Sequence, residues 1–384
     1  MPEKRKDDKG RLLMAGESQR KDLTYMYRYT DIRGKRKAVY ADDLNTLRLK
    51  EKKVQLDTLR GLDITGGEIT VVELVESYIH LKRNVRYNTI VGYHFVLNIL
   101  RQEDFGYYHV GKVRVVDAKR FLLDLYDKGR SYSSINSIKG VLKPAFQMAV
   151  NDDCLMKNPF DFKMDLIPNN SQKRVAMTEE QQERYLDYVR NDKHFCRYYD
   201  EITVLLGTGL RISEMMGLTF SDLDFKERKI KVDHQLTRTR GGKYYVEKTK
   251  TENGVRFIYM TDEVKAALQS IIDHRRAPRK EPTVDGYTGF LLLDKDGKPK
   301  VAMHLEHPMK RLLDKYNATH EEQLPRITPH VLRHTFCTRM AERGMNPKTL
   351  QYLMGYGDIA VTLNVYTHAS YSKVAEEMAQ LTAI

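Results

Sequence analysis

The chain has 384 residues, enough for two or three domains with separate cores. It is 41% hydrophobic with a mean hydropathy of -0.58, and no apolar run approaches the roughly 18 residues of a membrane span. A cytoplasmic protein without membrane segment or secretory signal is therefore expected. The formal net charge of +13 suits a polyanionic partner, because each neutralised phosphate releases counterions.

Basic residues crowd the segment from Met1 to Gly67: Lys4, Arg5 and Lys6, Arg20 and Lys21, Arg28, then Arg33, Lys35, Arg36 and Lys37. LTYMYRYT alternates, with Leu23, Tyr25, Tyr27 and Tyr29 on one face, the period of a strand. Asp31 to Gly34 turns the chain, Lys35 to Ala41 reads as the returning strand, and RLLMA from Arg11 is a candidate third. Leu44 and Leu47 after Asp42 and Asp43 open a charged helix. A small basic sheet with one helix is expected.

Gly66 and Gly67 mark a boundary. Thr70 then caps a helix with Val71, Leu74, Val75, Tyr78 and Leu81 at helical spacing. A second begins at Thr89, a third covers Val116 to Tyr126, and a fourth runs from Ser133 to Val150 with a kink at Pro144. KNPF at Lys157 to Phe160 closes this bundle, and Asp161 to Arg174, which has no periodicity, reads as a linker. Cys154, Cys196 and Cys337 are odd in number and lack CxxC spacing, so reduced thiols with neither zinc nor disulfide are expected.

The last region opens with Thr178 capping a helix through Glu179 and Glu180. In LLGTGLRISEMMGLTFSDLDF, Gly207 and Gly209 permit a tight bend ahead of Arg211, whose planar fork suits two phosphate oxygens, with Glu214 and Asp222 as orienting partners. Lys229 to His234, Lys243 to Thr251 and Val255 to Met260 alternate as strands around turns at Gly241–Gly242 and Glu252–Gly254. In ITPHVLRHTF, Thr328 caps and Pro329 starts a helix whose positive end carries His330 and Arg333 on one face, a site that favours an anion. Gly344 ends that helix, Asn346 and Pro347 start another, Gly355 stops it, and Asp358 caps a last one that carries Tyr366 toward the anion site.

HVLR, MG and YTH in this order and spacing, with the LLGTGLRISE stretch before them, resemble the signature boxes of the tyrosine recombinases, the phage-integrase family. The resemblance implies an α+β chain of three parts: an arm-type DNA-binding domain over residues 1–67, like that of conjugative-transposon integrases; a four-helix core-binding domain over 68–165; and a mainly helical catalytic domain with a small antiparallel sheet over 174–384. It implies site-specific cleavage and rejoining of DNA through a 3′-phosphotyrosyl intermediate, with Arg211 and Arg333 on the non-bridging oxygens, His330 assisting proton transfer, and Tyr366 as nucleophile. The family's hairpin lysine falls on Lys250, with Lys248 the rival two residues away. DNA contacts are expected from Arg28, Arg33, Lys35, Arg36 and Lys37 in the front domain and from Lys82, Arg83, Arg86, Lys139 and Lys143 in the bundle.

No metal or cofactor is implied. The expected partners are core and arm sites on double-stranded DNA, further copies in a tetramer, an excisionase and a host DNA-bending protein, which places the chain at the nucleoid. Val374, Met378 and Leu381 form an apolar stripe in the tail, suited to docking between protomers. Tyr356 departs from the family pattern, which has His or Trp there; it keeps a donor but adds no charge near neutral pH, so it is expected to be tolerated with a catalytic contribution from its hydroxyl. A type IB topoisomerase and a catalytically weakened DNA-binding relative are the alternatives.

Overall fold

The computed structural model describes residues 5–30, 34–59, 68–169, 175–249 and 254–366. Arg33, Lys250, the Gly66–Gly67 boundary and the tail from Thr367 onward lie outside these residues. The chain divides into two compact units, Met1–Gln172 and Lys173–Ile384.

The first unit begins with an antiparallel sheet in the order β1 (Glu17–Gln19), β2 (Tyr25–Thr30), β3 (Arg36–Ala41), followed by α1 (Leu44–Leu59). The third strand is thus Glu17–Gln19 and not the RLLMA stretch, where Leu12 makes only an isolated bridge to Lys6. Tyr25 and Ala41, paired across β2 and β3, meet Leu44 and Leu47 of α1 in a small apolar cluster joined by Tyr27 and Val39. Leu23 falls outside the strand, left-handed at φ 65° and exposed. The pairs Arg28 with Ala38 and Thr30 with Arg36 lie on the face opposite Tyr25 and Tyr27.

The helical part of this unit has its own core. α2 (Val71–Leu81) starts at a complete capping box between Thr70 and Glu73. α3 runs Tyr87–Leu100 with Arg86 at its N-cap, two residues ahead of the Thr89 start read from the sequence. α4 (Val115–Asp127) and α5 (Tyr132–Asn151) complete the set, and α5 passes through Pro144 as one helix. Leu100, Leu122, Leu125, Ile135 and Phe146 are buried together with Phe160 of the KNPF stretch and with Ile167, and Phe162, Met164 and Leu166 pack against the same cluster, so residues of the segment read as a linker belong to this core.

The second unit joins helices to two small sheets. α6 (Glu179–Asn191) and α7 (Tyr199–Thr208) are followed by α8 (Ile212–Gly217). β4 (Leu223–Asp224), β5 (Lys229–Val232) and β8 (Arg256–Tyr259) form one antiparallel sheet; β6 (His234–Arg238) and β7 (Tyr244–Lys248) form a separate hairpin. The stretch read as one strand from Lys229 to His234 is therefore broken at Asp233, and its two ends serve different sheets. α9 (Asp262–Asp273), α10 (Met303–Thr319), α11 (Pro329–Glu342), α12 (Pro347–Met354) and α13 (Ile359–Tyr366) follow. Tyr185, Leu205, Met216, Ile230, Met260, Leu305 and Leu332 lie in the main core of this unit.

Candidate active site

Three arginines converge on the end of one short helix. Gly209 caps α7 in the left-handed region at φ 63°, and a Cβ there would stand 2.4 Å from the Phe336 ring, so the bend ahead of Arg211 requires glycine. Arg211 is the N-cap of α8, where Glu214 accepts its backbone N–H at 2.9 Å and its Nη1 at 2.7 Å. Arg333, on α11 and 4% exposed, donates to the carbonyls of Gly209, at 2.6 Å, and Met354. Arg211 Nη2 donates to the next carbonyl, Gly355, at 3.2 Å, and Arg256 Nε to the preceding one, Leu353, at 2.7 Å. Three consecutive carbonyls that α12 leaves open at its C-terminus are thus taken by three different arginines, where the negative end of the helix favours cations.

Arg256 was not among the residues that the sequence singles out. It is wholly buried on β8 and forks onto Glu214, Nη1 to Oε1 at 3.2 Å and Nη2 to Oε2 at 2.8 Å. Val255, Phe257 and Tyr259 alternate with it and are exposed, whereas Ile258 and Met260 face inward beside it. Burial raises the Glu214 carboxyl, but the hydrogen bond and charge of Arg256, with Arg211 and Arg333 adding to them, prevail and bring it down to about 2. Burial and the charge of Arg211 lower the Arg333 guanidinium. The three guanidinium groups exceed the one carboxylate, so the site is electropositive. Asp222 is not an orienting partner of Arg211: it caps Thr219, accepting from its N–H at 2.8 Å and its hydroxyl at 2.6 Å.

His330 stands exposed in the first turn of α11, whose N-cap Thr328 accepts from the Val331 N–H at 3.3 Å. The ring of Tyr356 lies under Arg333, with the guanidinium carbon 5.0 Å from its centroid. Tyr366, the last residue of α13, packs against the cluster of Phe336, Cys337, Leu350 and Met354, and its hydroxyl donates to the Met345 carbonyl. Burial, with Cys337 adding to it, pushes that hydroxyl up. Lys248 is exposed at the end of β7.

The residues expected to touch DNA separate by environment. Arg28, Lys35, Arg36, Lys82 and Arg83 are exposed, and Arg86 is half-buried at the N-cap of α3. Lys37 pairs with Tyr29, placing it on the sheet face opposite Arg28 and Arg36. Lys139 is 7% exposed and is no surface contact; its ammonium donates to the Phe162 carbonyl and sits 4.2 Å from that ring's centroid. A lysine stem of four methylenes let it occupy an inward helix position while its head reached a polar partner. Lys143 is half-exposed and paired with Asp161 at 2.7 Å.

Asp222, Asp233 and His234 form the one group among the described residues with ligand atoms close enough for a metal, within 4.8 Å of one another. Each already has protein partners: His234 Nδ1 meets Asp233 at 2.6 Å and Nε2 meets the Gly217 carbonyl at 2.8 Å, while Asp222 holds Thr219.

A mainly helical domain with a small sheet, arginines gathered at the C-terminal end of one helix and a tyrosine on the next has the make-up of a tyrosine-recombinase catalytic unit. Residues 176–373 match the phage integrase family, and residues 1–61 match the DNA binding domain of tn916 integrase. The chain is 40% identical over 395 aligned residues to the transposase from transposon Tn916 of Enterococcus faecalis, covering 99% of this chain and 97% of that protein. The corresponding protein of transposon Tn1545 from Streptococcus agalactiae is 41% identical with the same coverage. Among solved structures, the Tn1549 transposon integrase in complex with a circular intermediate DNA is 44% identical, with a TM-score of 0.79 over 82% of this chain and 100% of that one. The chain belongs to the phage integrase family, as the signature boxes indicated. Its activity is that of a tyrosine site-specific recombinase, an integrase of the conjugative-transposon kind.

Proposed function

We propose that the protein cleaves and rejoins DNA through a 3′-phosphotyrosyl bond at Tyr366, integrating and excising a mobile element. The observation that carries this reading is the convergence of Arg211 and Arg333 on adjacent carbonyls at one helix end, each keeping other guanidinium donors for a ligand. A phosphodiester repels nucleophiles, so its developing charge must be neutralised and the attacking oxygen placed in line. Arg211 and Arg333 would bind the non-bridging oxygens, His330 would take part in proton transfer from Tyr366, and Lys250 would protonate the departing 5′ oxygen. The Tyr366 oxygen must first leave the Met345 carbonyl. The ester preserves the energy of the cleaved bond, so a second DNA end reverses the step without a cofactor.

In this reading residues 1–67 bind arm sites through the open sheet face that carries Arg28 and Arg36. Residues 68–165 grip core sites with Lys82, Arg83 and Arg86 among the contacts, and 174–384 perform the chemistry. The Tn1549 integrase was solved with transposon-end and circular-intermediate DNA, and the lambda integrase as a tetramer on a Holliday junction. In this reading the chain acts as a tetramer on paired DNA sites at the nucleoid, with an excisionase and a host DNA-bending protein as further partners. A suicide duplex nicked beside the cleavage site tests the reading: it should trap a covalent adduct at Tyr366. No adduct would identify a DNA-binding relative, and an adduct that relaxes DNA without strand exchange would identify a topoisomerase.

A further inference from the structure

A guanidinium withdrawn from water must find a partner for its donors and its charge, and an inward strand position is ordinarily filled by an apolar residue, as at Ile258 and Met260. Arg256 breaks that pattern two residues before Ile258, and its donors are spread over three segments. Nη1 and Nη2 fork onto Glu214 in α8, Nε holds the Leu353 carbonyl in α12, and Nη1 also reaches the Gly254 carbonyl at 3.2 Å. Glu214 is shared evenly: Oε1 accepts from Arg256 Nη1 and Arg211 Nη1, while Oε2 accepts from Arg256 Nη2 and the Arg211 backbone N–H. Arg211 closes the circuit by donating to Gly355, two residues beyond the carbonyl that Arg256 holds. Gly355 is left-handed at φ 59°, and a Cβ there would come within 3.0 Å of Arg256 Nη1, so this turn and the buried guanidinium fit against each other.

We propose that Arg256 is a positioning residue for DNA cleavage: through Glu214 and Leu353 it sets where Arg211 presents its free donors to the scissile phosphate. It cannot be a catalytic residue, because with no exposed surface it cannot touch the DNA. Without it, Glu214 keeps the Nη1 and backbone N–H of Arg211 as its partners among the described residues and draws that guanidinium inward. The end of α12, where Arg211 holds the Gly355 carbonyl, also loses its tether to β8 at Leu353, two residues earlier. The inference rests on the reading of Arg211 as a phosphate-binding residue.

The test uses the full chain on a nicked suicide duplex, with single-turnover cleavage measured at saturating DNA and below the unfolding temperature of each variant. Arg256→Lys and Arg256→Met should cleave roughly 100-fold more slowly, the scale of a misplacement of about 1 Å, with DNA affinity close to parental. A methylphosphonate at the scissile position removes one phosphate charge and so lessens the demand on Arg211. The deficit of the Arg256 variants should shrink there, and Arg211→Ala combined with Arg256→Met should be no slower than Arg211→Ala alone. Folded variants that cleave at the parental rate overturn the proposal. So does a deficit equal on both substrates and additive with Arg211→Ala, which would mean that Arg256 only holds the fold together. If Arg256→Met does not fold, Arg256→Lys and the charge-balanced pair Glu214→Gln with Arg256→Met carry the same comparison. A parental chain that forms no adduct overturns the underlying reading, whereas an active parent with indifferent Arg256 variants overturns this proposal alone.

Discussion

The Tyr366 hydroxyl donates a hydrogen bond of 2.5 Å to the carbonyl of Met345, in the turn that joins α11 to α12. The oxygen that would attack phosphorus is therefore held by the backbone of its own domain, and burial, with Cys337 adding to it, shifts the hydroxyl toward its protonated form. Tyr366→Phe should abolish the covalent adduct while DNA affinity stays near parental. The lost hydrogen bond should lower stability by only about 1 kcal/mol. Denaturing electrophoresis of trapped complexes and a denaturant midpoint check both halves; an adduct persisting at Tyr356 or Tyr371 would reassign the nucleophile.

Arg211 and Arg333 differ in burial, so their removal should differ in kind. Each alanine variant should slow cleavage by roughly 100- to 1,000-fold, the usual loss when one preorganised donor to a developing charge is deleted. Arg333→Ala also leaves the buried carbonyls of Gly209 and Met354 without that donor and opens a void, so its thermal midpoint should fall further than that of Arg211→Ala, whose side chain is one-third exposed. Equal midpoints would mean that water takes over the bonds of Arg333.

The Glu214 carboxyl supplies a pH signature. Its value falls from 4.5 to about 2 on folding, which at about 1.4 kcal/mol per pH unit corresponds to roughly 3 kcal/mol of stability. A depressed folded value means that this contribution is complete above about pH 4.5 and is lost as the pH falls toward 2. Glu214→Gln should be less stable at neutral pH and show a flatter acid limb across that window in unfolding titrations. An unchanged acid limb would show that other carboxylates govern it.

The ring of Tyr356 lies beneath the Arg333 guanidinium, a contact that needs the aromatic face and not the hydroxyl. Comparing Tyr356→Phe with Tyr356→Leu separates the two contributions. If the sequence-based expectation of a phosphate donor is right, Phe slows cleavage measurably. If the ring acts as a platform for Arg333, Phe cleaves near the parental rate and Leu carries the loss, at the scale of about 1 kcal/mol for a partly desolvated cation–π pair.

Deleting residues 1–67 should abolish binding to arm sites and leave core-site cleavage intact, because the proposed chemistry lies in the second unit. Arm binding by the full chain should fall steeply with salt, and the truncated chain should lose that steep component. Equal arm affinity of the two chains in gel-shift titrations would refute the arm-binding role.

Local signals made the helices and both signature boxes legible. Thr70, Thr178 and Thr328 each cap the helix that the sequence assigned to them, and Gly209, Gly344 and Gly355 adopt the left-handed turns that their positions required. A cap, a proline or a glycine acts within a few residues of itself, so the sequence contains the whole interaction. Strand faces are different. Alternation in VRFIYM announces a strand, but not that Val255, Phe257 and Tyr259 look outward while Arg256 is buried, because the period of two leaves the choice of face to whatever packs against it. The same holds for the inward turn of Lys139 and for Asp222, which serves Thr219 instead of Arg211. The arginine cluster depends most on tertiary structure: Arg256, Arg211 and Arg333 find their carbonyl partners 97, 144 and 124 residues away in the chain. Sequence supplied the guanidinium groups; only the packing of α8, β8 and α11 against the end of α12 decided that three of them would meet at one helix terminus and two of them would share one carboxylate.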